Sequence, residues 1–392
     1  MKTLNEVTLL VGGMEYGGWK SVRIEAGIDR QARSFDLEVT SRWPGNTNIA
    51  SRIKPGDVVQ VKIGIDLVLT GYVDATPIKY DGKSYSIGIK GRSKTADLVD
   101  CCPVDGSAGT GQSWLKDVLP LGVDPKNAAQ YKAQRIKPSA FSSQYRQRKL
   151  EAIAATLAKP YGIKVFSETD TGKVIPDFTI NTGDTVFECI DRMMRERHVL
   201  STDNANGDLV FIEVGNGGSC ATALELGRNI LSGSASLDYK NVFSEYVCKG
   251  QRAGSDEESG DAVAGESASV VDTTMGRRRV LVLHQAGQAD GGTCHDRVAY
   301  EQAHRAGKAL ETDYVVSGWR EEDGTLWQPN KMVRVRDGLI GFDVDMLIVG
   351  VSWILDAEGQ RTELKVGPPD GYLTKAKKKG KGGGKSWGDV TR

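Results

Sequence analysis

Pro55-Gly-Asp-Val-Val-Gln-Val-Lys-Ile-Gly64 and Pro329-Asn-Lys-Met-Val-Arg-Val-Arg-Asp-Gly338 align without a gap. Both alternate apolar and polar residues with period two, the pattern of a strand with one face against a core. The likeness extends downstream. Leu67-Val-Leu-Thr-Gly71 matches Met346-Leu-Ile-Val-Gly350, with five more residues in the second intervening loop. Both copies then reach a hairpin signal, Asp81-Gly82 before Ile87-Gly-Ile-Lys-Gly91 and Glu358-Gly359 before Leu364-Lys-Val-Gly367. Upstream, Ile28-Asp29 before Phe35 resembles Leu237-Asp238 before Phe243. The same elements in the same order indicate a duplication. Two like barrels in one chain, repeated three times around an axis, would present six like surfaces, so a trimer could dock onto a sixfold ring.

The composition around this repeat is that of a globular protein. Hydrophobic residues at 39% and charged residues at 26% of 392 exclude a wholly disordered chain. The 51 Lys plus Arg balance 51 Asp plus Glu, which argues against a dedicated nucleic-acid binder. No stretch approaches the ~18 apolar residues that cross a bilayer. The start, MKTLNEVTLLVGG, has too short an apolar core for a signal peptide. Glycine, at 47 against 12 prolines, separates short Val/Ile/Leu/Tyr alternations, the texture of a β-rich protein. Six scattered cysteines without a C-x-x-C motif read as free thiols.

The expected fold is mainly β with α+β: two duplicated β-barrel-like domains and a small α+β domain. Residues 1–100 form the first barrel-like domain, with Ser93–Val99 as a short closing helix. Residues 101–223 form the α+β domain. It has a loop-rich start with a short helix near Ser113–Leu119, and a helix over 148–158 with Leu150, Ile153, Ala154 and Leu157 on one face. A short strand Ile163–Phe166 follows, then a helix over 184–197 capped by Asp184 and a hairpin over 199–212 around Asn206-Gly207. Residues 224–373 form the second barrel-like domain, with a helix over 294–310 burying Val298, Ala299, Ala303, Ala306 and Leu310. Its segment 253–275 has six acids and no Lys or Arg, and reads as a mobile insert. Residues 374–392 read as a flexible Lys/Gly-rich tail.

Several motifs bear on chemistry. Gly380-Lys-Gly-Gly-Gly-Lys-Ser386 is not a phosphate loop, because three residues rather than four separate Gly380 from Gly384. His198, His284, His295 and His304 form no metal spacing. Cys294 and His295, neighbours on a helix, point apart and make a poor nucleophile–base pair. Gly183-Asp-Thr-Val-Phe187 resembles the opening of peptidoglycan-binding LysM modules, but a capped helix whose Phe187 and Ile190 enter the core is the preferred reading. Glu188, Arg192, Arg195 and Glu196 read as its solvated face. No paired carboxylates, Ser-His-Asp set or dinucleotide fingerprint stands out, so no catalytic, cofactor or metal site is expected. The tail from Gly371 carries seven basic residues against one acid, with Lys375, Lys377, Lys378, Lys379, Lys381 and Lys385 as a candidate electrostatic docking segment.

A resemblance adds to this reading. The second block contains Gly318-Trp319, Asp323-Gly-Thr-Leu-Trp327-Gln-Pro-Asn330, Val333-Arg-Val-Arg336 and Thr362-Glu-Leu-Lys-Val366. The first contains Leu69-Thr-Gly-Tyr-Val-Asp74 and Gly91-Arg-Ser-Lys-Thr-Ala-Asp-Leu-Val-Asp100, and the middle contains Ala158-Lys-Pro-Tyr-Gly162 and Asn206-Gly-Asp-Leu-Val-Phe211. From about residue 5 to residue 373 the chain resembles the baseplate hub proteins of phage Mu and related contractile-tailed phages and prophages. The acidic insert and the basic tail have no counterpart in that pattern. The resemblance implies a non-enzymatic virion protein, assembled in the bacterial host cytoplasm. It implies a homotrimeric ring whose two tube domains per chain adapt a sixfold tail tube to a threefold central spike. Tube protein, spike protein and baseplate wedge proteins are the implied partners, and tape measure and DNA pass non-specifically through the channel. Gly71, Asp74, Gly91, Arg92, Gly318, Trp319, Trp327, Pro329 and Asn330 are then structural signature positions. A cell-wall-binding or peptidoglycan-degrading tail component, or a hub or spike part of a related secretion system, is the alternative.

Overall fold

The computed structural model describes residues 4–40, 53–80, 85–103, 142–197, 199–251, 266–273, 275–288 and 291–373. The Asp81-Gly82 turn, the helix expected near Ser113–Leu119 and the Lys-rich tail lie outside the described residues. Two compact units emerge: Met1–Glu213 with Gly350–Thr362, and Val214–Val349 with Glu363–Arg392. Among the described residues, no helix is long and apolar enough to cross a membrane.

The first unit begins with β1 (Val7–Val11), β2 (Met14–Tyr16), β3 (Ser21–Gly27), β4 (Ser34–Thr40), β5 (Val58–Ile63), β6 (Asp66–Ala75), β7 (Ile78–Tyr80) and β8 (Tyr85–Ser93). They pair in the order β3-β4-β8-β6-β5-β1-β2, with β7 alongside β8. Val59, Val61 and Ile63 of β5 are buried while the residues between them are not, as period-two alternation requires. A short helix, α1 (Ala96–Asp100), follows β8.

The α+β module of this unit contains β9 (Gln144–Arg148), α2 (Leu150–Ala158), β10 (Val165–Ser167), β11 (Ile175–Thr179), α3 (Val186–Arg197), β12 (Leu200–Asp203) and β13 (Leu209–Ile212). Sheets β9–β11 and β10-β13-β12 enclose a core that includes Leu150, Ile153, Ala154, Leu157, Ile190, Met193 and Phe211. The cap of α3 differs from expectation. Thr185, not Asp184, closes the helix: its Oγ1 accepts from Glu188 N at 3.1 Å, and Glu188 Oε2 accepts from Thr185 N at 2.7 Å. This reciprocal capping box satisfies two backbone donors and frees Asp184 to pair with Arg192 at 3.3 Å.

A buried ion pair joins the module to the β block. Arg33, in the β3–β4 turn, places Nε 3.2 Å from Asp203 Oδ1, and the Asp203 side chain is fully buried. Arg33 N also donates to Asp203 Oδ2 at 2.9 Å, and Arg33 Nη1 to the Val68 carbonyl at 2.9 Å. Burial pushes the Asp203 carboxyl above its usual range, while the Arg33 charge and hydrogen bonds pull it back.

In the second unit are β14 (Leu224–Glu225), β15 (Ile230–Ala235), β16 (Glu245–Gln251), β17 (Glu266–Val271), β18 (Val280–Gln288), α4 (Gly291–Lys308), β19 (Thr312–Ser317) and β20 (Met332–Asp337). The C-terminal hairpin, β21 (Phe342–Asp356) and β22 (Gly359–Gly367), is divided: its tip, Gly350–Thr362, belongs to the first unit. There, Gly350 lies opposite Gly27 and Leu355 opposite Val22 of β3.

Two expectations are corrected here. Part of the segment read as a mobile acidic insert is the strand β17, antiparallel to β16 from Glu245↔Val271 to Gly250↔Glu266. Its small alternating residues send Ala268 and Val270 onto a core of Tyr246, Cys248, Cys294 and Val298, which net acidity had concealed. Among the described residues of α4, Cys294, Val298, Glu301 and Gly307 are buried, whereas Ala299, Ala303 and Ala306 are only half-buried; Leu310, just beyond the helix, is buried as expected. Glu301 is tolerated there because Arg297 and Arg305, one turn away on either side, reach it at 2.8 and 2.9 Å.

The duplication is visible in the connectivity. The strand order β3-β4-β8-β6-β5-β1 recurs as β15-β19-β22-β21-β20-β14, with one difference at the edge: β1 runs antiparallel to β5, whereas the two-residue β14 runs parallel to β20. Val59, Val61 and Ile63 correspond to buried Val333, Val335 and Asp337. The second strands do not keep the sequence alignment: Val59 faces Gly71, but Val333 faces Met346, four residues before Gly350. The slip from Gly71 is even, but a β-bulge between Val61 and Lys62 in the first copy sets Leu67 opposite Lys62, whereas its counterpart Met346 lies opposite Val333 on the buried face.

Two outcomes are expected. Asp203→Ala strands the Arg33 guanidinium and costs about 3–5 kcal/mol in urea denaturation followed by circular dichroism. The second concerns Glu311, which binds Lys308 at 2.7 Å, Lys365 at 3.4 Å and the Tyr372 hydroxyl. Burial raises its pKa, but these partners outweigh burial and hold it below the ordinary value of 4.5. A depressed carboxylate stabilises fully above the unfolded pKa, so this contribution is lost as pH falls below about 4.5. Glu311→Gln flattens that acid limb in melting curves recorded against pH.

Candidate functional site: two signature clusters

The first cluster forms where β6 meets β8, with Gly71 opposite Ser93, Tyr72 opposite Arg92 and Val73 opposite Gly91, followed by a register shift. Glycine is required at both ends of this contact. A Cβ on Gly71 would stand 1.9 Å from the Arg92 carbonyl oxygen, and one on Gly91 would stand 2.1 Å from the Tyr72 oxygen and 2.6 Å from the Phe35 ring. The shift turns Asp74 toward Arg92, whose Nε it accepts at 2.7 Å, while Arg92 Nη2 donates to Asp100 at 2.6 Å. The Asp100 bond, then the Asp74 bond, hold the guanidinium well above its usual pKa. All three side chains are partly exposed, so the network orients α1 against β8 more than it stabilises the fold. Beside it lies a cleft of about 320 Å³ lined by Pro55, Tyr72, Asp74, Arg92 and Asp97. Burial, then Asp100, raises the Asp97 pKa.

The second cluster closes the loop between β19 and β20. Gly318 leaves β19 at φ +74°, Arg320 and Leu326 form an isolated bridge, and Trp327 N donates to the Trp319 carbonyl at 3.1 Å. Both indoles are buried. After Pro329, Asn330 adopts φ +66°, left-handed backbone that Asn tolerates better than most residues. Its Oδ1 accepts from Gly215 N at 2.7 Å, its carbonyl accepts from Gly217 N at 3.1 Å, and its N donates to the Ile348 carbonyl at 2.8 Å. Inside the loop, buried Glu321 accepts from Lys331 Nζ at 3.0 Å and Ala221 N at 2.5 Å. Burial, then Glu321, pushes the nearby Cys220 thiol up to about 12.

The signature residues thus form two groups, Gly71, Asp74, Gly91 and Arg92 in one unit and Gly318, Trp319, Trp327, Pro329 and Asn330 in the other. Lys375, Lys377, Lys378, Lys379, Lys381 and Lys385 lie outside the described residues. Sequence reasoning missed Glu321, Lys331 and the Arg33–Asp203 pair, because a charged residue in a loop reads as solvated. Asp337 carried a usable signal, a carboxylate at the buried position that Ile63 fills in the other copy. His284 and His295 are exposed, and His304 stacks on Tyr300 at 5.4 Å with its pKa lowered by burial. Among the described residues, no cluster of three His, Cys, Asp or Glu could hold a metal.

Both clusters fix backbone. The family model for the N-terminal domain of Mu phage baseplate assembly protein GpP-like proteins matches residues 6–93. The model for the second domain of baseplate hub protein gp44-like proteins matches 136–213, and that for the fourth domain of Mu phage baseplate assembly protein GpP matches 291–375. Baseplate hub protein gp44 of Escherichia phage Mu is 30% identical over 397 residues, spanning 98% of this chain and 94% of its own length. The chain belongs to the Mu gp44 family of baseplate hub proteins. A 43 kDa tail protein of prophage MuSo2 from Shewanella oneidensis is 28% identical, with TM-score 0.76 over 94% of this chain and 99% of that one. A tail protein from Neisseria meningitidis MC58, 20% identical, shares the fold with TM-score 0.72 over 94% and 98% of the two chains. Within the gp44 family the chain is a structural component of the phage tail baseplate hub, a part of the virion.

Asn330 provides the test of this cluster. Asn330→Gly keeps the left-handed backbone and loses the side-chain bond to Gly215, costing about 1 kcal/mol. Asn330→Ala adds backbone strain of roughly 1–2 kcal/mol. Thermal unfolding should therefore rank wild type above Gly above Ala.

Proposed function

We propose that this hub protein assembles as a homotrimer that adapts a sixfold tail tube to a threefold central spike. The observation that carries this reading is the recurrence of one strand order, β3-β4-β8-β6-β5-β1 and β15-β19-β22-β21-β20-β14, in a single chain. A sixfold partner presents six equal sites, and a trimer meets all of them only if each chain supplies two like surfaces. Duplication inside the chain meets that requirement without a second gene product. The role is architectural rather than catalytic, in keeping with relatives named for the baseplate and the tail. In this arrangement the trimer binds the spike protein on one side, the tube protein on the other and wedge proteins at its rim. Tape measure and DNA pass through its channel.

Light scattering of the purified chain should give a particle of three times 42.4 kDa, populated increasingly as concentration rises. A particle of 42.4 kDa at every concentration, with no binding to spike or tube protein, would end this reading.

A further inference from the structure

Isolated exposed aliphatic residues are common on protein surfaces and need no special account. Two here are different because the duplication places them at the same point. The repeat aligns Gly64-Ile65 with Gly338-Leu339, each following the first strand of its hairpin. Ile65 is 89% exposed and Leu339 85%, so the tip of each hairpin offers a bare aliphatic side chain to solvent.

Both tips are held in place, by different means. In the first, Gly64 turns the chain at φ +62° and its N donates to the Glu6 carbonyl at 2.8 Å. In the second, the buried carboxylate of Asp337 organises a longer loop. Its Oδ1 accepts from Leu339 N at 2.9 Å and Ile340 N at 3.3 Å, and its Oδ2 accepts from Tyr314 at 3.1 Å. Gly341 N, at φ +89°, donates to the Asp337 carbonyl at 2.9 Å. Leu339 is thus pinned by its backbone while its side chain makes no use of the core. A side chain presented on a fixed turn loses little entropy when a partner covers it. The loops differ in length and chemistry, yet the exposed aliphatic residue recurs in both.

We propose that Ile65 and Leu339 are equivalent apolar pegs that dock onto a ring of six identical subunits, each subunit offering one apolar socket. The proposal rests on the trimeric adaptor reading: three chains supply three Ile65 and three Leu339 pegs for the six sockets. Apolar contact suits two pegs of slightly different shape, because burial of a branched aliphatic chain is favourable without directional demands.

The test uses the full chain and preformed rings of the tail tube protein as probe, with affinity read by surface plasmon resonance and mass by light scattering. Ile65→Ser and Leu339→Ser should each weaken ring binding at least about tenfold, by similar factors, and the double variant should weaken it further. Melting temperature and mass should stay those of the parent, because neither side chain packs inside the chain. Leu231→Ser, exposed on β15 at the far end of the strand order from β20, should bind like the parent. Variants with parental affinity, or an effect at one tip alone, overturn the pegs. A monomeric parent overturns the adaptor reading alone, since affinities of the variants still decide the pegs. A parent that ignores the rings overturns both.

Discussion

The buried pair of Arg33 and Asp203 is the contact on which the first unit depends. A carboxylate fully out of solvent is costly unless a cation and hydrogen-bond donors surround it. Asp203 draws those donors from Arg33 and Ser93, and Arg33 in turn bonds the Val68 carbonyl on β6 and exchanges bonds with Ser93 at the end of β8. Four elements, the β3–β4 turn, β6, β8 and β12, must therefore be in place before either charge is satisfied. Gln31 and Thr202 extend the same seam, bonding Ser201 and Gly27 across it. The seam consists of polar groups that water would otherwise solvate, so its net contribution lies in specifying one arrangement.

How much of this was legible in the sequence depends on the kind of interaction involved. Period-two alternation located β5, β20 and their neighbours because half-buried strands leave a direct mark on residue order. The four apolar positions of α2 were readable for the same reason. The choice between Asp184 and Thr185 as cap was not, because both residues cap well and only the reciprocal reach of Glu188 decides. β17 was hidden because its acidic composition masks the alternation of Ala268 and Val270. The buried carboxylates Asp203 and Glu321 are bonded by residues distant in sequence, Arg33 and Ala221, which no local pattern encodes, whereas Asp337 takes Tyr314 from afar and its other donors from its own loop. At the signature residues the geometry supplies what the sequence does not state: crowding at Gly71 and Gly91, left-handed backbone at Asn330.

The two copies of the repeat show what duplication preserves and what it releases. Strand order and the inward face of the first hairpin strand persist, because a change in either would expose a core. Loop length, turn chemistry and even a core position, Ile63 in one copy and Asp337 in the other, have diverged. Asp337 exchanges an aliphatic contact for bonds to Tyr314 and its own loop, so a longer turn could be held without loss of order.

The divided C-terminal hairpin has a consequence for biosynthesis. The edge of β3 is covered by Gly350–Leu355, a segment that leaves the ribosome after most of the chain has been made. Until then the N-terminal unit carries an open strand edge, a template for wrong pairing. Translation products that stop short of residue 350 keep that edge bare, and only a chain read almost to its end can cover it. Closure of that edge is therefore tied to synthesis of the hairpin, and products that stop before it keep an edge open to wrong pairing.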